Sequence, residues 1–156
     1  MRVLVIGCGN RDRGDDAAGI LVVRRLREKG VDAREHSSDG LALIDAWSTA
    51  EYVILIDTVI TGAPPGTISG AMGADAAVLR SATTSSHSFD VGSAIELARA
   101  LDRMPGSLKI YGIEGRAFEP GTEPQPVVLA AAEKVAELVL SEVKRLESAG
   151  ARSPQA

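Results

Sequence analysis

The chain has 156 residues, 45% of them hydrophobic but only 3% aromatic, so its core has to be built from Val, Ile, Leu and Ala. That length suits one domain with a conventional core. The net charge of -4 at pH 7 comes with no basic stripe, which argues against a nucleic-acid partner.

Cys8 is the only cysteine, so no disulfide forms within the chain and a reducing cytoplasm fits best. The amino terminus runs directly into an apolar strand, with neither a signal peptide nor a membrane span expected. Neither nucleic acid nor membrane is therefore an expected partner.

Met1 to Gly7 reads as a first, buried strand emptying into the glycine-rich turn Gly7-Cys8-Gly9-Asn10-Arg11-Asp12-Arg13-Gly14-Asp15-Asp16-Ala17-Ala18-Gly19. Ile20, Val22, Val23 and Leu26 then carry helical spacing, with Gly30 as the stop. Val31 to Glu35 is a short second strand, Asp39-Gly40 a turn, and Leu41 to Ser48 a second helix that plugs Trp47 into the core.

Tyr52 to Ile60 is an unbroken aliphatic and β-branched run and reads as the central strand. Gly62-Ala63-Pro64-Pro65-Gly66 forces a turn, after which Thr67 to Met72 forms an edge strand antiparallel to the rest. Ser81 to Ser88 is small and polar, a loop by composition.

Val91, Ala94, Ile95, Ala98 and Leu101 space a third helix, capped by Ser88 or Asp90. Ser107 to Ile113 is the last strand, followed by the loop Glu114 to Gly121. A final amphipathic helix runs from about Pro126 to Leu146. The reading is one α/β domain over residues 1–147 and a disordered tail over 148–156. The architecture is a three-layer, mostly parallel twisted sheet of about five strands with helices on both faces.

Gly7-x-Gly9 after a first strand invites a dinucleotide site, but the third glycine of that fingerprint would fall on Asp12. Asp15 and Asp16 place negative charge where a phosphate needs bare N–H groups. Helix capping accounts for one of the pair, and Asp15 is the better candidate. Asp57 ends the most apolar strand, where a buried carboxylate needs an N–H, a base or a cation. His87 sits in the polar loop, whereas His36, at the end of the second strand, reads as structural or solvent-exposed. Asp16, Asp57 and His87 together offer two oxygen donors and one nitrogen, an open shell for a divalent first-row metal.

The run Gly7-x-Gly9-Asn10 with Gly14-Asp15-Asp16-x-x-Gly19, then Asp57, then His87 ahead of an amphipathic helix, resembles the hydrogenase maturation endopeptidases from residue 1 to roughly residue 146. The resemblance implies a protease that trims the carboxyl-terminal extension from the precursor of a nickel hydrogenase large subunit. It implies Asp16, Asp57 and His87 as both metal ligands and catalytic residues, with nickel carried by the precursor and not held tightly by the free protein. The position of Asp16 carries glutamate in the best-known members. Two other readings use the same sheet edge: a non-catalytic α/β protein-binding module, and a nucleotide-binding domain built on the Gly7-x-Gly9 turn.

Overall fold

The computed structural model describes residues 1–36, 40–72 and 91–152. Among these, β1 (Val3–Cys8), β2 (Ala33–His36), β3 (Tyr52–Val59), β4 (Ile68–Met72) and β5 (Ser107–Glu114) form one sheet in the order β2-β1-β3-β5-β4. All neighbours are parallel except β4, which runs antiparallel along β5 at the edge. Four helices accompany the described strands: α1 (Ala18–Glu28), α2 (Gly40–Trp47), α3 (Val91–Ala100) and α4 (Pro126–Arg152).

Strand side chains alternate between two faces, and each face meets its own pair of helices. Val3, Val5, Ile54, Ile56 and Ile113 pack with Val22, Val23 and Leu26 of α1 and Val128, Val135 and Val139 of α4. Leu4, Ile6, Cys8, Val53, Leu55, Leu108 and Ile110 pack with Leu43, Ile44 and Trp47 of α2 and Ala94, Ile95 and Ala98 of α3. The expected three-layer α/β arrangement is therefore the observed one. Trp47 is fully buried, and its indole N–H donates to the carbonyl of Arg103 at 3.0 Å.

From β1 the chain goes to β2 on one side, and β3 then pairs on the other. The order reverses between β1 and β3, and a crevice opens at the carboxyl ends of such strands. Two glycines bring α1 directly onto that point. A Cβ on Gly19 would lie 2.5 Å from the Cys8 carbonyl oxygen and 2.7 Å from that of Ile56, and one on Gly7 would lie 2.2 Å from the Gly19 carbonyl oxygen. Only bare glycine backbones let the helix start sit against the two strand ends.

On its sheet-facing side α4 is also held by a polar cluster. Tyr111 and Tyr52 donate to Glu142 at 2.8 and 3.1 Å, and the Lys109 ammonium lies 3.2 Å from it. Burial pushes the Glu142 carboxyl up, but these donors outweigh it and hold the group below its ordinary value of 4.5.

Most element boundaries shift by a residue or two from expectation, and those of β2 and α4 have a clear physical cause. β2 begins at Ala33 and runs through His36, because its register is set by pairing Val5 with Ala33 and Cys8 with His36. α4 continues to Arg152, so residues 148–152, expected in a loose tail, are helical. Its end rests on the chain's start, a Cβ on Gly150 falling 3.1 Å from that of Met1. The rest of the expected tail, 153–156, lies outside the described residues, as do the Ser81–Ser88 loop and both cap candidates of α3. No helix among the described residues is long and apolar enough to cross a membrane.

Candidate active site

The glycine turn leaves β1 at Cys8 and folds back into a 3₁₀ turn, Gly14–Ala17, that precedes α1. Asn10 shapes the first half: its side-chain oxygen accepts the Asp12 N–H at 2.9 Å, and its own N–H donates to the Asp16 carbonyl at 3.2 Å. Gly9 has φ +144°, and a Cβ there would stand 2.1 Å from the Asp16 carbonyl oxygen. Glycine is thus required beside Asp16 for both conformation and space.

Three further N–H groups of the turn are already bonded. Gly14 donates to the Thr122 carbonyl at 3.0 Å, Asp15 to that of Ala117 at 2.8 Å and Asp16 to that of Arg13 at 3.1 Å. A phosphate at this helix start would find those donors taken, which disfavours the nucleotide reading on geometric grounds.

Asp15 and Asp16, adjacent in sequence, have separate fates. Asp15 is fully buried and makes no cap bond within its own turn. Its carboxylate instead accepts the N–H groups of Arg116 and Ala117, both at 2.9 Å, and that of Gln125 at 2.8 Å, with the Gln125 side-chain amide at 2.6 Å. Burial alone would raise its carboxyl, but the four donors reverse this and hold it below the ordinary 3.8. The expected capping of its own helix by Asp15 is therefore not what forms: the carboxylate is drawn instead to the loop after β5 and the start of α4, whose N–H groups converge on it.

Asp16 is 9% exposed and sits beside the ends of β1 and β3. Asp57 occupies the same edge. Gly7 pairs with Ile56, and one step further along that register places Cys8 next to Asp57. Asp57 falls in the same every-second-residue series as Val53 and Leu55, so it belongs to the α2–α3 face together with Cys8. One of its oxygens accepts the Thr58 N–H at 2.9 Å.

Cys8 registers both carboxylates electrostatically. Burial, then the charge of Asp57, then that of Asp16, push its thiol well above the ordinary 9.0. At 7% exposed it is a protonated, inert sulfur, and it marks the point where the two acidic fields overlap. The structure thus brings Asp16 and Asp57 to one edge. His87, the third expected donor, lies outside the described residues. Among the described residues no three His, Cys, Asp or Glu side chains are grouped to hold a metal ion, so a full ligand set built on Asp16 and Asp57 needs a donor from elsewhere.

Two further polar residues stand at this edge. His36 is half-buried and lines a cleft of ≈ 360 Å³ with Gly9, Asn10, Arg11, Ile20 and Glu35. Its carbonyl accepts the Gly9 N–H at 3.3 Å, consistent with a structural part in the turn. Glu114, 3% exposed at the end of β5, accepts the Thr61 N–H on both oxygens at 3.0 Å and pins the chain leaving β3. A carboxylate closing an apolar strand was the available signal for Glu114; Asp57, expected to end its strand, lies two residues inside β3, because the ladder with β5 continues through Thr58 and Val59.

An open parallel sheet with a pair of carboxylates at its switch point defines a small α/β protein whose acidic edge is suited to a cation or to proton transfer. The chain belongs to the hydrogenase maturation protease family: that family's model, HycI, matches residues 22–142, which include Asp57 and His87. The hydrogenase 2 maturation protease of Escherichia coli (strain K12) is 24% identical over 150 residues, covering 92% of each chain. Among solved structures, the hydrogenase maturating endopeptidase HybD from E. coli superposes with a TM-score of 0.79 at 23% identity, over 93% of each chain. The [NiFe] hydrogenase maturation protease HybD from Thermococcus kodakarensis gives a TM-score of 0.76 at 26% identity, covering 90% of this chain and 98% of the other. A hydrogenase 2 maturation peptidase from a Thaumarchaeota archaeon is 31% identical with a TM-score of 0.67, covering 92% and 98%.

Proposed function

We propose that this chain is an endopeptidase that removes the carboxyl-terminal extension of a nickel-containing hydrogenase large-subunit precursor in the cytoplasm. In this reading it recognises the inserted nickel through Asp16, Asp57 and His87. The observation that carries the proposal is the meeting of Asp16 and Asp57 at one strand edge beside Cys8. The family membership supports the reaction class. His87 precedes the first residue of α3 by four positions, and α3 covers the same sheet face as Cys8.

The nickel belongs to the substrate. A bound divalent metal polarises a carbonyl or lowers the pKa of a water beside it. Asp16 and Asp57 supply anionic oxygens and His87 a neutral nitrogen, so the precursor's metal is seated with the scissile peptide next to it. Water then adds to the peptide carbonyl carbon, a carboxylate takes the proton, and the C–N bond breaks as the amine is protonated. Three such ligands without thiolate hold free metal loosely, so nickel comes and goes with the precursor.

Incubation with a nickel-loaded, unprocessed large subunit should lower the precursor's mass by one discrete carboxyl-terminal fragment, read by mass spectrometry. The same precursor without nickel should stay intact. Cleavage that ignores nickel would remove the recognition role; no cleavage of any nickel-loaded precursor would favour a binding module.

A further inference from the structure

We infer that Thr58 is a positioning residue that fixes the Asp16 turn against Asp57, an inference that rests on the two carboxylates acting as a pair on nickel. Thr58 joins the two segments directly. Its N–H donates to the Asp57 side-chain oxygen at 2.9 Å, and its hydroxyl donates to the carbonyl of Asp15, the residue peptide-linked to Asp16, at 3.1 Å. A carbonyl oxygen only accepts, so the hydroxyl proton has to point at the turn.

The other branch of the side chain is equally committed. A Cβ on Gly115 would fall 2.7 Å from the Thr58 methyl and 2.9 Å from the Asp15 Cβ. Gly115 itself donates its N–H to the Val59 carbonyl at 3.1 Å, so this backbone lies close over both residues. Threonine is stiff at χ1, and here the methyl packs under Gly115 while the hydroxyl meets the turn. Valine keeps the packing and loses the bond; serine keeps the bond and loses the packing. Asp57 reaches Asp16 through one side chain and one peptide link, a short mechanical path for holding a ligand pair at a set spacing.

The test is calorimetric titration with Ni²⁺ alone of the wild type, Thr58→Val, Thr58→Ser and Asp57→Asn, with melting temperatures measured on the same samples. Thr58→Val should weaken Ni²⁺ binding by about tenfold, the scale seen for groups that orient metal ligands, with its melting temperature little changed. Thr58→Ser should restore most of the affinity although it removes more packing, a pattern that a purely structural residue would not give. Wild-type affinity in Thr58→Val, alongside weakened binding in Asp57→Asn, would overturn the positioning role and leave the carboxylate pair standing. Wild-type affinity in Asp57→Asn would overturn the pair, and the inference with it. If Thr58→Val does not fold, Thr58→Ala, which removes the hydroxyl without a second methyl, takes its place with the same outcomes.

Discussion

Asp57→Asn is expected to slow processing of a nickel-loaded precursor by about 10²–10⁴-fold, the range for loss of a positioned acid or base group, while the protein still folds. Asparagine has the shape of aspartate and keeps an oxygen for the Thr58 N–H, which Asp57 now holds at 2.9 Å. What it lacks is the negative charge, and with it a strong oxygen ligand and a proton acceptor. Asp16→Asn should act in the same way, since Asp16 shares the edge and adds its charge to the same buried sulfur. Neither substitution empties the core, so circular dichroism and melting curves should stay near wild type. Rates measured with nickel-loaded precursor check this; wild-type turnover in both variants would remove the two carboxylates from the chemistry.

The largest effect on stability is expected from Asp15→Ala. This carboxylate has no exposed surface and takes three backbone N–H groups and one side-chain amide from residues 116, 117 and 125. Hydrogen bonds to a charged group contribute about 1.5–3 kcal/mol each. They do not add in full, because the loop relaxes when its anchor goes. A loss of about 3–5 kcal/mol is expected, within reach of the whole stability of a small domain. Urea denaturation should show a much lower midpoint, and the loop after β5 should become protease-sensitive.

The same group gives a pH signature. Because the donors hold its carboxyl below the ordinary 3.8 in the folded protein, the unfolded chain binds the proton first. Its contribution is therefore complete above that value and is lost as pH falls through the lower, folded-state value. Wild-type protein should lose stability as pH drops below about 4, and Asp15→Asn should lose less over the same interval. Urea midpoints between pH 2 and 6 measure this; parallel curves for the two proteins would contradict the assignment.

The sheet was legible because burial leaves a simple trace. Val3 to Ile6 and Val53 to Ile56 are covered on both faces, so they read as continuous aliphatic runs. The edge position of β4 followed from the Pro64-Pro65 turn, and its antiparallel direction is the observed one. The glycine-rich turn after β1 is where expected, and Gly7, Gly9 and Gly19 each meet backbone within 2.5 Å of where a Cβ would stand.

Less visible was what each acid of the pair does. Asp15 and Asp16 are chemically identical, and the partners that fix the Asp15 carboxylate, Arg116, Ala117 and Gln125, come about a hundred residues later in the sequence. Glu114 was hidden for the same reason, since its partner Thr61 comes from the chain leaving a different strand. The end of α4 was misjudged because Ser148, Ala149 and Gly150 look like tail, yet the chain's first residue packs there.

A crystal structure of the protein soaked in Ni²⁺ would reveal whether folding gathers Asp16, Asp57 and His87 around one cation. A single ion is expected, with oxygen from Asp16, oxygen from Asp57 and nitrogen from His87 at about 2.0–2.2 Å. An ion seated elsewhere, or the His87 imidazole fixed on the opposite face of the sheet, would contradict it.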